Sequence, residues 1–281
     1  MVRVIADTTC CLPIAKMQEL GIDFVPQIVT FEKTSYRDDF ELSTEEFLTK
    51  LRASKNLPGT AAPPPALYNP IYEKILNQGD TALVLAPSAK LSGTFRSATV
   101  ATDDFDSDKI HIIDTKTTAG NLGTIVLKAK EWADQGMGVS EIIRRVEDMS
   151  ARDQTYFLVP TLEYLYKGGR IGGAAKLFGT LLQIVPILML RDGGIEVYDK
   201  VRSLKQATSN MVDLIASICK DNPDANLTIG QCDSQVLMGK ISGELKNRLD
   251  LEDIPAFIAP PAIVVHAGPG LVVISCFAKP K

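Results

Sequence analysis

The first half of the chain alternates short apolar runs with amphipathic segments, and this alternation limits the fold more than any other feature. Residues 2–6, 81–86 and 109–113 are apolar runs that predict buried strands. Residues 120–133 and 139–149 have the apolar spacing of amphipathic helices. Strands and helices that alternate along a chain predict a mostly parallel sheet with helices on its faces.

The second half has a different pattern and predicts a second domain. We place the boundary within residues 150–154, which gives predicted domains at 1–152 and 153–281. Asp192-Gly193 is a hairpin signal, and Lys167 to Gly173 is a loop with four glycines in seven residues. The other elements predicted for the second half are strands at 155–159, 183–190 and 195–201, strands near Ile229, Phe257, Val264 and Val273, and helices at 162–166, 204–219 and 235–249. The first half also has a predicted strand at 22–31, a loop at 56–65, and predicted helices at 12–20, after the capping box at Ser43, at 66–76 and at 92–100.

This organisation predicts an α/β protein of two domains. The N-terminal domain is expected to be Rossmann-like, with a mostly parallel sheet and flanking helices. The C-terminal α/β domain is expected to carry a mixed sheet.

Composition narrows the classes of partner and the compartment. The net charge of −4 gives no basic footprint for nucleic acid or for an anionic membrane surface. The 5 cysteines contain no Cys-x-x-Cys pair, which indicates reduced thiols in the cytoplasm. Residues 1–9 lack the apolar core of a signal peptide, and prolines and glycines interrupt the uncharged stretch 256–278, so we expect no membrane span.

The common motifs of nucleotide and metal binding are incomplete in this sequence. Gly268-Pro269-Gly270 lacks the third glycine and the helix of a dinucleotide-binding turn. The chain has only 2 histidines, neither spaced to another metal ligand, so we expect no metal and no cofactor. Cys10 and Cys11 follow the first strand without a histidine nearby in sequence, which makes a thiol nucleophile a weak hypothesis.

Three hydroxyl-rich loops follow strands or extended segments of the first half, and such loops gather at the carboxyl edge of a parallel sheet. They are Asp7-Thr8-Thr9, Gly59-Thr60 and the segment from Pro87 to Thr94. The last leads into a predicted helix, so the Ser92 hydroxyl and the N–H groups of Gly93 and Thr94 can face an anion. Simple capping of that helix by Ser92 explains the same residues equally well.

Two residues of the second half could add polar groups to the same site. Arg170 lies in the glycine-rich loop, and His266 lies beside Gly268-Pro269-Gly270. The residues alone favour a solvated arginine and a strand-end histidine whose ring is satisfied by backbone groups.

Five segments together resemble the DegV family, in the family's order and over nearly the whole chain. The most specific are Leu91-Ser92-Gly93-Thr94-Phe95 and Leu165-Tyr166-Lys167-Gly168-Gly169-Arg170-Ile171. The others are Ile5-Ala6-Asp7-Thr8-Thr9 with Leu12-Pro13, Pro186-Ile187-Leu188 before Asp192-Gly193, and His266-Ala267-Gly268-Pro269-Gly270.

This resemblance implies a two-domain α/β carrier that holds one long-chain fatty acid, with its carboxylate inside and its acyl chain in an apolar tunnel. It implies that Thr60 and Ser92, with Gly93 and Thr94, hold the carboxylate. Arg170 and His266 match residues at the mouth that face a separate fatty acid kinase, which makes acyl phosphate for phospholipid synthesis. The carrier itself has no catalytic residue in this interpretation.

One departure from the family pattern lies beside the expected head group. The family usually reads Thr-Ser-Gln-Pro where this chain has Thr60-Ala61-Ala62-Pro63. Chain-length preference, head-group geometry and kinase pairing are the properties that this change affects.

Two other classes of function compete with the carrier. An enzyme could use Ser92 as a hydrolase nucleophile or His266 in a covalent, kinase-like reaction. Against the hydrolase, Lys90 and Thr94 stand where a nucleophile elbow needs glycines. A nucleotide-binding Rossmann-like protein is the third class.

Overall fold

The computed structural model describes residues 1–179 and 184–280. Its strands are β1 Val2–Asp7, β2 Asp23–Val25, β3 Ile28–Phe31, β4 Thr34–Arg37, β5 Gly59–Ala61, β6 Thr81–Ala86, β7 Ile110–Asp114, β8 Asp153–Leu158, β9 Val185–Arg191, β10 Gly194–Val201, β11 Thr228–Cys232, β12 Ala256–Ile258 and β13 Leu271–Phe277. Its α-helices are α1 Ile14–Leu20, α2 Thr44–Ala53, α3 Asn69–Asn77, α4 Thr94–Val100, α5 Ala119–Asp134, α6 Val139–Ala151, α7 Glu163–Lys167, α8 Leu204–Cys219, α9 Gln235–Leu249 and α10 Pro261–Ala267.

A parallel sheet forms the first half of the molecule, with strand order β2-β1-β6-β7. Alternate residues of β1 point to opposite faces: Val4 and Ala6 pack with α1, α5 and α6, whereas Ile5 packs with α3 and α4. Helices therefore cover both faces, which explains why the strands of this sheet read as continuous apolar runs. The carboxyl edge of the sheet is the part left for polar loops.

A mixed sheet forms the second half, with strand order β10-β9-β8-β13-β11-β12. The β11–β12 pair is parallel and the other neighbours are antiparallel. One face, which includes Leu158 and Ile274, packs against α8 and α9. The other face, which includes Phe157 and Val273, packs against α2 and α10. Within residues 1–179 and 184–280, no helix is both long enough and apolar enough to cross a membrane.

The predicted fold class is confirmed, because a parallel sheet with helices is followed by a mixed sheet. The predicted bounds of α8 and α9 agree with the structure, and Asp192-Gly193 does join the β9–β10 hairpin. The start of the predicted strand at Gln183 lies outside the described residues. The division at 152/153 stays a prediction, and β8 begins at Asp153.

The single strand predicted at 22–31 is wrong. Pro26 interrupts it, because proline has no N–H to donate to a strand ladder. β2 joins the parallel sheet, whereas β3 forms a small antiparallel sheet of order β4-β3-β5. The predicted loop at 56–65 is correspondingly wrong in its middle, since Gly59–Ala61 is strand β5 and pairs Thr60 with Val29.

The strand predicted near Val264 is also wrong, because this segment is helix α10. Pro261 occupies the first turn, where its missing N–H costs nothing, and Gly268 ends the helix with a φ of 80°. The helix is buried on most sides, so its apolar residues show neither helical nor strand spacing. His266 therefore lies in the last turn of a helix and not at a strand end.

Candidate functional site

A cavity of about 130 Å³ lies between the carboxyl edge of the parallel sheet and the inner face of the mixed sheet. The parallel-sheet side contributes Thr9 after β1 and Ser92 after β6. The mixed-sheet side contributes apolar side chains, among them Phe157, Leu190 and Val273. The loops at the carboxyl edge thus give the cavity hydroxyl groups, and the inner face of the mixed sheet gives it an apolar wall.

Thr60 and His266 form a polar pair in this cavity. Strand β5 carries Thr60, and its Oγ1 lies 2.7 Å from Nε2 of His266 in α10. Nδ1 of His266 is buried and has no hydrogen-bond partner. A proton on Nδ1 would be a buried donor without an acceptor, so we assign it to Nε2. Thr60 then accepts from His266 and keeps its own hydroxyl hydrogen for a ligand.

The glycine-rich loop brings Arg170 to the same place. Its Nε donates to the carbonyl of Leu91 at 3.0 Å, and its Nη1 donates to the carbonyl of Gly168 at 2.7 Å. A Cβ on Gly168 would lie 2.3 Å from Nδ1 of His266, so a side chain at 168 would displace the imidazole. The absence of a side chain at this position lets the loop, and Arg170 with it, close over His266.

His266 is held in its neutral form. Burial and then the nearby charge of Arg170 lower its pKa from 6.5 to about 4. The site therefore offers one guanidinium cation and one neutral imidazole near pH 7.

Ser92 is not the N-cap residue predicted for α4, because the helix begins one residue later and Gly93 takes that position. Ser92 Oγ still accepts from the N–H of Thr94 at 3.3 Å, and the residue lines the cavity, while its contact with an anion stays a prediction. Gly93 lines the cavity and is the N-cap residue of α4. Thr94 is fully buried behind Ser92 and is not among the lining residues.

Behind Ser92 lies a buried polar network that the sequence does not indicate. Thr94 Oγ1 lies 2.9 Å from Ser92 Oγ and donates to Asp7 Oδ2 at 2.9 Å. The side-chain amide of Gln27 donates to Asp7 and, at 2.8 Å, to Thr94 Oγ1. In the sequence Asp7 is only one member of a hydroxyl-rich loop, and Gln27 carries no signal because its partners are distant in the chain.

Ala62 lies at the point where this chain departs from the family pattern. It lines the cavity, and a Cβ on Gly93 would lie 3.4 Å from its methyl group. A small side chain therefore faces the Ser92–Gly93 turn where the pattern expects a glutamine.

The predicted site residues converge with one qualification. Thr60, Ser92, Gly93, Arg170 and His266 all line the cavity, and Thr94 supports them from behind.

The thiols of Cys10 and Cys11 are poor nucleophiles, because burial raises the pKa of Cys10 to about 12 and the pKa of Cys11 well above its usual value. Across the residues described, no cluster of three or more His, Cys, Asp or Glu side chains could hold a metal ion.

Comparison with known proteins places these features in one family. The model of the DegV family, described as uncharacterised, matches residues 1–279. A DegV domain-containing protein of Deinococcus radiodurans is 31% identical over 276 residues, which cover 96% of each chain.

Two solved structures are similar over almost their full length. A DegV family protein of Thermus thermophilus, whose structure is described in terms of fatty acid binding, is 28% identical with a TM-score of 0.92 over 99% of each chain. DegV of Bacillus subtilis, described as a fatty acid binding protein, is 27% identical with a TM-score of 0.89 over 98% of this chain and 99% of that one.

The lowered pKa of His266 makes a prediction about acid stability. The unfolded chain binds the proton near pH 6.5 and the folded chain only near pH 4, so this contribution to folding is full above pH 6.5 and is lost on acidification towards pH 4. The loss amounts to about 3 kcal/mol. In urea denaturation from pH 7 to 4, His266→Gln should lose less stability than the wild type by this amount. An equal loss of unfolding free energy in the two proteins between pH 7 and 4 would contradict the lowered pKa of His266.

Proposed function

The chain belongs to the DegV family, and on that premise we propose that it binds a long-chain fatty acid, with the carboxylate at Thr60 and Ser92 and the acyl chain against the mixed sheet. The observation that carries this proposal is the two-sided cavity, with hydroxyl and guanidinium groups on one side and apolar side chains on the other. The two solved relatives described as binding fatty acids support it.

The polar wall has the groups that a carboxylate needs once it leaves water. A buried carboxylate requires charge-assisted or several neutral hydrogen bonds. Thr60 and Ser92 supply hydroxyl hydrogens, the Gly93 backbone faces the cavity, and the guanidinium of Arg170 supplies a positive charge. These groups form a binding site without a general base.

The apolar wall accounts for affinity but sets a condition on size. Each CH₂ group removed from water contributes about 0.8 kcal/mol, so a long acyl chain binds strongly. A cavity of about 130 Å³ has room for about four waters, since each occupies about 30 Å³ in the liquid. An acid of some sixteen carbons therefore requires the side chains around Phe157 and Leu190 to move apart when it enters.

The contacts favour binding over hydrolysis. His266 contacts Thr60, whereas Ser92 has Thr94 as its hydrogen-bond partner, so the serine lacks an adjacent base. His266 is also a weak base because its pKa is lowered to about 4, and its Nδ1 has no carboxylate to orient it. In our proposal the chain is a carrier in the cytoplasm, and a separate kinase carries out the chemistry.

Presentation to that kinase is the role we propose for Arg170 and His266. Both come from the second half of the molecule, in a glycine-rich loop and at a helix end, and both remain partly exposed. Arg170 donates to the carbonyl of Leu91, next to Ser92, and His266 contacts Thr60, so both border the proposed carboxylate site. A phosphoryl donor held by a kinase would have to approach through this border.

The most direct prediction of this proposal concerns the ligand itself. Protein purified from a bacterial host should release a fatty acid on organic extraction, because both walls of the cavity match that ligand. Mass spectrometry of the extract identifies it and gives its chain length. Recovery of a nucleotide, or of no lipid from well-folded protein, would contradict the proposal.

A further prediction concerns the carboxylate. Ser92→Ala and Thr60→Ala should each weaken fatty acid binding by about 1–3 kcal/mol, because each leaves a buried carboxylate short of a donor. Fluorescent fatty acid displacement measures the affinity. Thr99→Ala is the matched control, since its hydroxyl donates to the carbonyl of Phe95 within α4. Unchanged affinity in both site variants would move the head group elsewhere.

Binding and delivery can be separated by a third set of variants. Arg170→Ala and His266→Ala should bind the acid more weakly but still yield lipid on extraction, because Thr60, Ser92 and the apolar wall remain. Both variants should fail to support acyl phosphate formation with a cognate kinase. Arg52→Ala is the control, because its guanidinium pairs with Asp233 at the surface and should not affect delivery. Loss of lipid from both variants would assign these residues to ligand retention, and full kinase-dependent activity in both would remove them from the site.

A further inference from the structure

A chain of two hydroxyl groups connects the cavity to a carboxyl group that no ligand can reach. Ser92 Oγ lies 2.9 Å from Thr94 Oγ1, and Thr94 Oγ1 lies 2.9 Å from Asp7 Oδ2. Ser92 lines the cavity, whereas Asp7 is 1% exposed. Each hydroxyl can donate one proton and accept another, so the chain can conduct a proton between the cavity and Asp7.

When no ligand is bound, the hydrogen bonds around Asp7 determine which hydroxyl group donates and which accepts. Oδ1 accepts from the N–H of Thr9 at 2.9 Å and from the Thr9 hydroxyl, and Oδ2 accepts from Gln27 and Thr94. Four donors satisfy an ionised carboxylate. The single proton of Thr94 is then committed to Asp7, and the proton of Ser92 points to Thr94.

A ligand carboxylate conflicts with that arrangement. It needs the Ser92 proton, and it places a second negative charge close to Asp7 in a site from which water is excluded. The other ionisable groups that interact with Asp7 are Cys10, Cys11, Asp38 and Tyr68, and none of these four is a cation. Arg170, the cation of the cavity, can balance one carboxylate but not two.

We propose that Asp7 accepts a proton through Thr94 and Ser92 when the fatty acid binds. The acid O–H bond breaks as its proton moves to Ser92 Oγ; Ser92 passes its own proton to Thr94 Oγ1, and Thr94 passes its own to Asp7 Oδ2. A neutral acid and an ionised Asp7 become a carboxylate and a neutral Asp7, with no change in net charge.

After this transfer the hydrogen bonds between Asp7, Thr94 and Ser92 run in the opposite direction, and each group still has a partner. Neutral Asp7 donates to Thr94, Thr94 donates to Ser92, and Ser92 donates to the bound carboxylate. Burial already raises the pKa of Asp7, which brings its protonation closer to neutral pH. The ligand is left in the ionised form, the form that can attack a phosphoryl group. This inference rests on the proposed function, since it requires a carboxylic acid in the cavity.

Proton uptake on binding is the direct test. Dodecanoate is ionised in water at pH 7.5, so its binding should take up about one proton from solvent per site. Isothermal titration calorimetry in two buffers of different ionisation enthalpy measures this number. Asp7→Asn should reduce the uptake to about zero. Asp80→Asn is the control, because that carboxyl pairs with Met1 and Arg3 at the opposite edge of the sheet and should leave the uptake unchanged.

Variants of the intermediate residue protect the test against a folding defect at Asp7. Thr94→Val removes the hydroxyl group that links Ser92 to Asp7 and should also abolish proton uptake. Thr94→Ser keeps a hydroxyl group at this position and should retain the uptake. His266→Gln removes the imidazole that lines the cavity and could accept the proton instead, and this variant should retain the uptake as well. Uptake of about one proton by Asp7→Asn, or none by the wild type, would overturn the proposal. Failure of the wild type to bind both dodecanoate and a sixteen-carbon acid would overturn the proposed function and this inference together.

Discussion

The whole site depends on the contact between the carboxyl edge of the parallel sheet and the mixed sheet that covers it. A parallel sheet with helices on both faces leaves its carboxyl edge as the place where polar loops collect. Here that edge is covered by the apolar inner face of the mixed sheet, so its hydroxyl groups lose water and must find other partners. The hydrogen-bonded set of Ser92, Thr94, Gln27 and Asp7 satisfies that requirement. A fatty acid matches such a boundary because it is polar at one end and apolar along the rest.

The packing of the mixed sheet over this edge also explains why the second half of the molecule contributes few ionisable groups to the cavity, chiefly His266 and Arg170. Helix α10 is almost entirely buried, and its one ionisable residue, His266, reaches Thr60. The glycine-rich loop can approach that histidine because Gly168 has no side chain. Burial and then the charge of Arg170 lower the pKa of His266 and keep the imidazole neutral. Backbone shape in the loop therefore determines electrostatics in the cavity.

The sequence predicts the elements whose patterns are local and misses those that tertiary packing decides. Helices α8 and α9 have one buried face each, so their spacing is visible in the sequence. Helix α10 is buried nearly all round, and its apolar run is therefore mistaken for a strand. Strand β5 lies in a stretch rich in proline and glycine, and only its pairing with β3 makes it extended. Thr60 is thus identified by resemblance and by its hydroxyl group, whereas its contact with His266 depends on packing between the two halves.

In the candidate site, too, local sequence patterns reveal some residues and tertiary packing decides others. The residues that line the cavity and the buried residues behind them differ in this respect. Thr60 and Ser92 lie in hydroxyl-rich loops that the sequence shows directly, whereas Arg170 and His266 are identified only through the resemblance to the family. Asp7 and Gln27 are 20 residues apart, and only the tertiary fold brings them together. A buried carboxyl with four donors and no adjacent cation carries a free-energy cost that packing alone does not require. Hydrogen bonds lead from this carboxyl through Thr94 to Ser92 at the cavity. In our proposal that connection gives the buried carboxyl a chemical role, because the proton it accepts offsets the negative charge that the ligand brings.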